Sequence, residues 1–168
     1  SLKLYASPKA VIANFLSLPQ SGRVGHIIEH VKRLSDDEAE ACVKKVMVDF
    51  AHRHRDINAI FLEHFDRISE QFKTDLLFFS ENRKLLLGAF FTKEYSIQAA
   101  ALFNPSMVAH PDQSNVRPGE QRFIMSLRAT GEGHISSVVF QTGIVDDLMN
   151  IRLDKASEYS TCLKKNNK

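Results

Sequence analysis

The spacing of apolar residues changes once in this chain, near Phe103, and that change limits the fold more than any other feature. Before it, apolar side chains recur at steps of three and four, the period of a helix with one buried face. After it, short β-prone runs alternate with proline, glycine and asparagine. The order predicts an α+β protein, with an N-terminal all-α helical bundle followed by a short antiparallel β-meander.

Five helices are expected. Ser7-Pro8 offers an N-cap and a proline at the first helical position, ahead of Val11, Ile12, Phe15 and Leu16. Leu18-Pro-Gln-Ser-Gly22 ends that segment. A second helix is expected from about Val24 to Leu34, with Ile27, Ile28, Val31 and Leu34 inward. Ser35-Asp-Asp-Glu38 has the spacing of a capping box and opens a third, with Ala39, Val43, Val46, Met47 and Phe50 as its stripe. A fourth carries Ile57, Ile60, Phe61, Phe65 and Ile68. A fifth is expected after Ser80, through Leu86, Phe90, Tyr95 and Ile97 to Leu102. Gly88 inside it costs about 1 kcal/mol relative to alanine, which close packing against a neighbour would explain.

Asn104-Pro105, His110 to Ser114 and Arg117-Pro-Gly119 are turn chemistry. Strands are expected at Ser106 to Ala109, Arg122 to Arg128, His134 to Thr142 and, more weakly, Asn150 to Leu153. The expected organisation is therefore a helical domain over 1–102, a meander over 103–154 and a polar tail over 155–168. A lone sheet of this size has two open edges and needs a partner layer.

Among 168 residues, 22 are basic and 20 acidic, for a net charge of +2. That balance gives no reason to expect nucleic acid or an anionic membrane as partner. The one basic run, Leu163 to Lys168, reads as a frayed end. No apolar stretch approaches the ~20 residues that span a bilayer. Cys42 and Cys162 lie far apart in no metal or redox motif. The N-terminus shows no secretory leader, and Ser1 in place of an initiator methionine suggests upstream processing. The expectation is a reduced, cytoplasmic protein with no cofactor and no metal.

Three motif matches are outweighed by plainer readings. His26-Ile-Ile-Glu-His30 fits the inverted zinc-protease pattern, but Ile27 and Ile28 claim the core face and no third ligand follows. His52-Arg-His-Arg-Asp56 contains His-Arg-Asp, yet Phe61 stands where a kinase loop needs asparagine. Basic residues at a helix end, with Asp56 capping the next helix, account for it better. Gly131-Glu-Gly-His-Ile-Ser136 resembles a dinucleotide fingerprint, but Ser136-Ser-Val-Val-Phe-Gln-Thr prefers a strand where that fingerprint needs a helix. A turn between strands fits. Neither Ser136 nor Ser137 sits in a nucleophile elbow.

Asn104 and Arg128 are candidates for ligand binding. Arg128 closes an apolar strand just before a turn, where an arginine costs entropy and desolvation unless it binds something. Its planar fork suits vicinal hydroxyls, carboxylate or phosphate, and an asparagine amide both donates and accepts, as a sugar requires. A structural salt bridge is the competing explanation for Arg128.

The segments "LFNPSMVAHPDQS" and "RFIMSLRATGEGHISSVVFQTGIVD" resemble the opening of glycoside hydrolase family 130, the β-mannoside phosphorylases and related mannosidases. "FAHRHRDI" and "FFTKEYSIQAAALFNPS" are similar to the helical extension of its long members. The resemblance implies that the meander is the first blade of a five-bladed β-propeller. It also implies that Asn104, Arg128 and Ser136 (or Ser137) hold a mannoside-like sugar. No role follows for Glu132 or His134. The family's acid and phosphate-gripping residues belong to later blades, and Asp112, Asp146 and Asp147 are not in the acid's motif. One blade cannot close a propeller. The resemblance thus implies the N-terminal portion of a carbohydrate-active enzyme, incomplete and inactive alone, with no catalytic residue of its own. A helical interaction module that forms homo-oligomers is the alternative, and a metal-dependent hydrolase built on His26, Glu29 and His30 a distant third.

Overall fold

A computed structural model describes residues 3–18, 22–72, 76, 78–157 and 159–160. Within them lie four helices and two antiparallel sheets, a mixed α/β protein. The chain forms two compact units. One comprises Ile12–Tyr95, and the other is made by the residues flanking it, up to Val11 and from Ser96 onward.

The first unit is mainly helical: α1 (Gly22–Arg33), α2 (Asp36–Phe50), α3 (Ile57–Phe72) and α4 (Glu81–Phe90). α1 buries Val24, Ile28 and Val31, which recur at helical spacing along one face. The expected capping box starts α2. The Glu38 amide donates to Ser35 Oγ at 3.2 Å, and the Ser35 amide donates to Glu38 Oε2 at 2.7 Å. Asp56 does the same service for α3, its Oδ1 accepting from the Ala59 amide at 3.0 Å. α3 buries Ile57, Phe61, His64, Phe65 and Ile68. α4 buries four residues in a row, Leu85 to Gly88, because neighbours cover it on more than one side.

α3 and α4 meet closely at Gly88. A Cβ there would fall on the backbone carbonyl of Phe61. The helix tolerates glycine's entropic cost because only a residue without a side chain allows that approach.

Two expected helical segments are strands instead. Residues placed in a first helix form β1 (Val11–Phe15), and the end of the expected fifth helix forms β2 (Thr92–Ser96), its partner. The Leu16 amide donates to the Phe91 carbonyl at 2.7 Å at one end of the ribbon. β-branched and aromatic residues such as Val11, Ile12 and Phe15 serve a paired strand as well as a helix face, and five residues are too few for periodicity to decide. α4 stops at Phe90 because Thr92 Oγ1 donates to the Gly88 carbonyl, at 2.8 Å. The Phe91 amide reaches the same carbonyl in a tightened last turn, at 3.1 Å.

The second unit is a four-stranded meander in sequence order: β3 (Ala101–Ala109), β4 (Glu120–Thr130), β5 (Ser136–Asp146) and β6 (Ile151–Leu153). All four expected strands are present. β3 begins earlier than expected, so the boundary expected between 102 and 103 falls inside it. β5 begins later, because His134 belongs to a short 3-10 turn (Glu132–His134). Alternation along β4 sends Phe123, Met125, Leu127 and Ala129 to one buried face. Leu4, Leu102, Val139, Val145, Ile151 and Leu153 pack against the Phe123, Met125 and Leu127 part of it. Of the expected polar tail, residues 161–168, including Cys162, lie outside the described residues.

Candidate functional site

The opposite face of β4 carries Arg122, Ile124, Ser126 and Arg128. Cross-strand pairing sets Arg128 between Phe103 of β3 and Val138 of β5. Partners in register share a face, so Phe103, Arg128 and Val138 form one row on the open side. The guanidinium carbon of Arg128 lies 5.3 Å from the Phe103 ring centroid. Its Nε and Nη2 both donate to Ser136 Oγ, at 3.2 and 3.0 Å.

Arg128 is exposed and, among the described residues, forms no ion pair. The internal salt bridge that competed with ligand binding is not its role here. An aromatic ring near the guanidinium and a hydroxyl at its edge restrict its orientation while leaving the charge unneutralised. The pairing also separates the two serines. Ser136 pairs with Thr130 and faces Arg128, whereas Ser137 pairs with Ala129, which points to the buried face.

Asn104 sits at the same end of the sheet, where the β3–β4 register shifts between Phe103 and Ser106. Its φ of 51° is left-handed, a conformation asparagine accepts more readily than most residues. Asn104-Pro105 is thus a bulge within a strand, not the turn before one, because the ladder resumes at Ser106. Asn104 is exposed and makes no hydrogen bond to Arg128 or Ser136. A groove of about 610 Å³ lies elsewhere in this unit, lined by Leu4, Lys9, Leu127, Val139 and Tyr159 among others. None of Asn104, Arg128 and Ser136 lines it.

The remaining turn residues have structural work. Gly133 and His134 adopt positive φ, and the Gly131 amide donates to the Ile135 carbonyl at 3.0 Å, which closes the β4–β5 turn. Glu132 Oε2 accepts from the Ser96 amide at 3.3 Å. Asp146 folds the β5–β6 turn by accepting from the amides of Leu148 and Asn150 and from the Asn150 side chain, at 2.8 to 3.0 Å. Hydrogen bonds from Asn150 hold its carboxyl below the usual range. Those from Ser114 do the same for Asp112. A general acid needs the opposite shift, so neither aspartate is suited to donate a proton.

His26, Glu29 and His30 are exposed on α1, and Glu29 pairs with Lys32 at 3.0 Å. No group of three or more histidine, cysteine, aspartate or glutamate residues suited to a metal occurs among the described residues. Nor is any described helix long and apolar enough to cross a membrane.

One polar cluster was not anticipated. His54 is buried, and its Nε2 lies 2.7 Å from Glu94 Oε1. Arg53 Nη2 meets Glu94 Oε2 at 2.8 Å. Glu94 lies in β2, a segment the sequence placed on a helix, so nothing linked it to the His52–Asp56 stretch. Comparison of the chain with protein-family models, with curated proteins and with solved structures found no match.

Proposed function

We propose that the sheet carries part of a carbohydrate-binding site and that the chain is the N-terminal portion of a carbohydrate-active protein resembling the β-mannoside phosphorylases and hydrolases. In this reading a helical bundle precedes a first propeller blade. Arg128, Asn104 and Ser136 then contact a mannoside-like sugar whose remaining contacts come from other blades. The observation that carries the reading is Arg128, a charged fork braced by Phe103 and Ser136 with no carboxylate partner among the described residues. Guanidinium donors of this kind suit paired hydroxyls. The residue resemblance of Leu102–Ser114 and Arg122–Asp146 to that family adds to it.

The reading assigns no catalytic residue, cofactor or metal to this chain and predicts no turnover by it alone. Its setting is cytoplasmic, consistent with cysteines in no disulfide pattern. The deciding experiment is to read the gene past the codon for Lys168. Further four-stranded repeats containing an aspartate and a cluster of basic residues support the reading. A stop codon there overturns it.

The second reading, a helical interaction module that self-associates, draws on two observations. Val48 and Phe78 of the helical unit are 79% and 87% exposed. The β5 edge is also unpaired by β6 before Gly143. Sedimentation of the intact chain tests it. A concentration-dependent dimer abolished by Phe78→Ser favours this reading over the first.

A further inference from the structure

The helical unit contains a half-open apolar cleft of about 170 Å³ that the proposed function does not use. Its walls are Val46 and Phe50 of α2, Ile57 and Phe61 of α3, Leu86, Ala89 and Phe90 of α4, and Thr92 and Glu94 of β2. We infer that it is a binding site for a neutral apolar ligand about one aromatic ring in size.

The lining chemistry sets the class of ligand. Among the described residues only Thr92 and Glu94 bring polar side chains to the wall, and both are already engaged. Thr92 Oγ1 bonds the Gly88 carbonyl and His64 Nδ1, at 2.8 and 2.7 Å. The carboxylate oxygens of Glu94 are taken by His54 and Arg53. Against these walls a charged or strongly polar ligand would lose hydration without replacement. An apolar ligand meets aromatic and branched aliphatic surface on several sides. An apolar cavity of about 150 Å³ already suffices to hold benzene.

The same contacts keep the space open. Burial of apolar surface would favour drawing α2 towards α4 and filling it. However, the bonds from Arg53 and His54 to Glu94 tie the end of α2 to β2. The link from His64 through Thr92 to the Gly88 carbonyl, with the contact of Gly88 on Phe61, fixes α3 against α4. The cleft lies between these two clamps and is preformed, as small-ligand sites commonly are.

Toluene is the probe. Titrated into the isotope-labelled chain, it is expected to bind saturably and to shift amide signals of the cleft walls. Ala89→Leu should fill the space and weaken toluene binding about tenfold or more, with a raised melting temperature. Val46→Phe is a second filling variant, used if the first loses the native amide spectrum. The inference is overturned if toluene produces no saturable shifts up to its solubility. It is equally overturned if the shifts lie outside the walls, or if a folded filling variant binds as tightly as the parent.

Discussion

His64 donates its Nδ1 proton to Thr92 Oγ1 across 2.7 Å, and the direction is fixed by a third residue. The threonine hydroxyl has one proton, and it goes to the Gly88 carbonyl. Burial pushes the His64 pKa below its ordinary value of 6.5, because the charged ring would lose hydration. A histidine whose pKa falls on folding binds protons more readily when unfolded. Its contribution to stability is therefore intact above 6.5 and is lost as pH falls from there towards the folded value. The denaturant midpoint of the wild-type chain should drop between about pH 7.5 and about pH 5.5. His64→Gln, which keeps a donor but cannot titrate, should flatten that slope. An equal slope in the variant would exclude His64 as the cause.

Gly88→Ala tests the contact between α3 and α4. On an isolated helix the change stabilises by about 1 kcal/mol. Here the added methyl meets the Phe61 carbonyl, a backbone group that cannot rotate away. Overpacking should win, with a net loss of about 1–3 kcal/mol by chemical denaturation. Equal or greater stability in the variant would mean that the helices do not approach this closely.

Ser35→Ala removes one half of the capping box and leaves an orphan amide at the start of α2. The expected loss is about 1 kcal/mol, with a Ser35→Asp variant close to wild type. The box also implies acid sensitivity. Hydrogen bonds from Ser35, led by its backbone amide, hold Glu38 below its ordinary 4.5. Its contribution is present above that value and is lost as pH falls through the folded pKa. The difference in midpoint between wild type and Ser35→Ala should thus shrink in acid.

These three sites were not equally visible in the amino-acid sequence. The capping box is local, since Ser35 and Glu38 are three residues apart and a helix start brings them together. Gly88 announced a close contact but not its partner, because Phe61 is distant in sequence. The pairing of His64 with Thr92 was invisible, for it depends on a strand where the helical period of the sequence runs on to Leu102. In the sheet, turn chemistry located all four strands, yet the meaning of Asn104-Pro105 changed from turn to bulge. Nothing local reveals that a ladder resumes two residues later. The resemblance puts Arg128 and Ser136 (or Ser137) at one sugar, and only the register of β4 against β5 explains why Ser136 reaches the guanidinium and Ser137 does not.

Arg128→Ala separates structure from binding. A guanidinium with no carboxylate partner among the described residues, on an exposed face, contributes little to folding. The variant should keep its stability within about 0.5 kcal/mol, apart from what is lost at the Phe103 ring. Arg128→Lys should also fold normally, but its single ammonium cannot offer a planar pair of donors to adjacent hydroxyls. In a complete protein that binds mannosides, both variants should lose sugar affinity by about tenfold or more, with lysine failing nearly as badly as alanine. Isothermal titration with a β-linked mannobiose, alongside a denaturation curve for each variant, measures both effects. If stability collapses while binding persists in the folded fraction, Arg128 holds the sheet together and the sugar lies elsewhere.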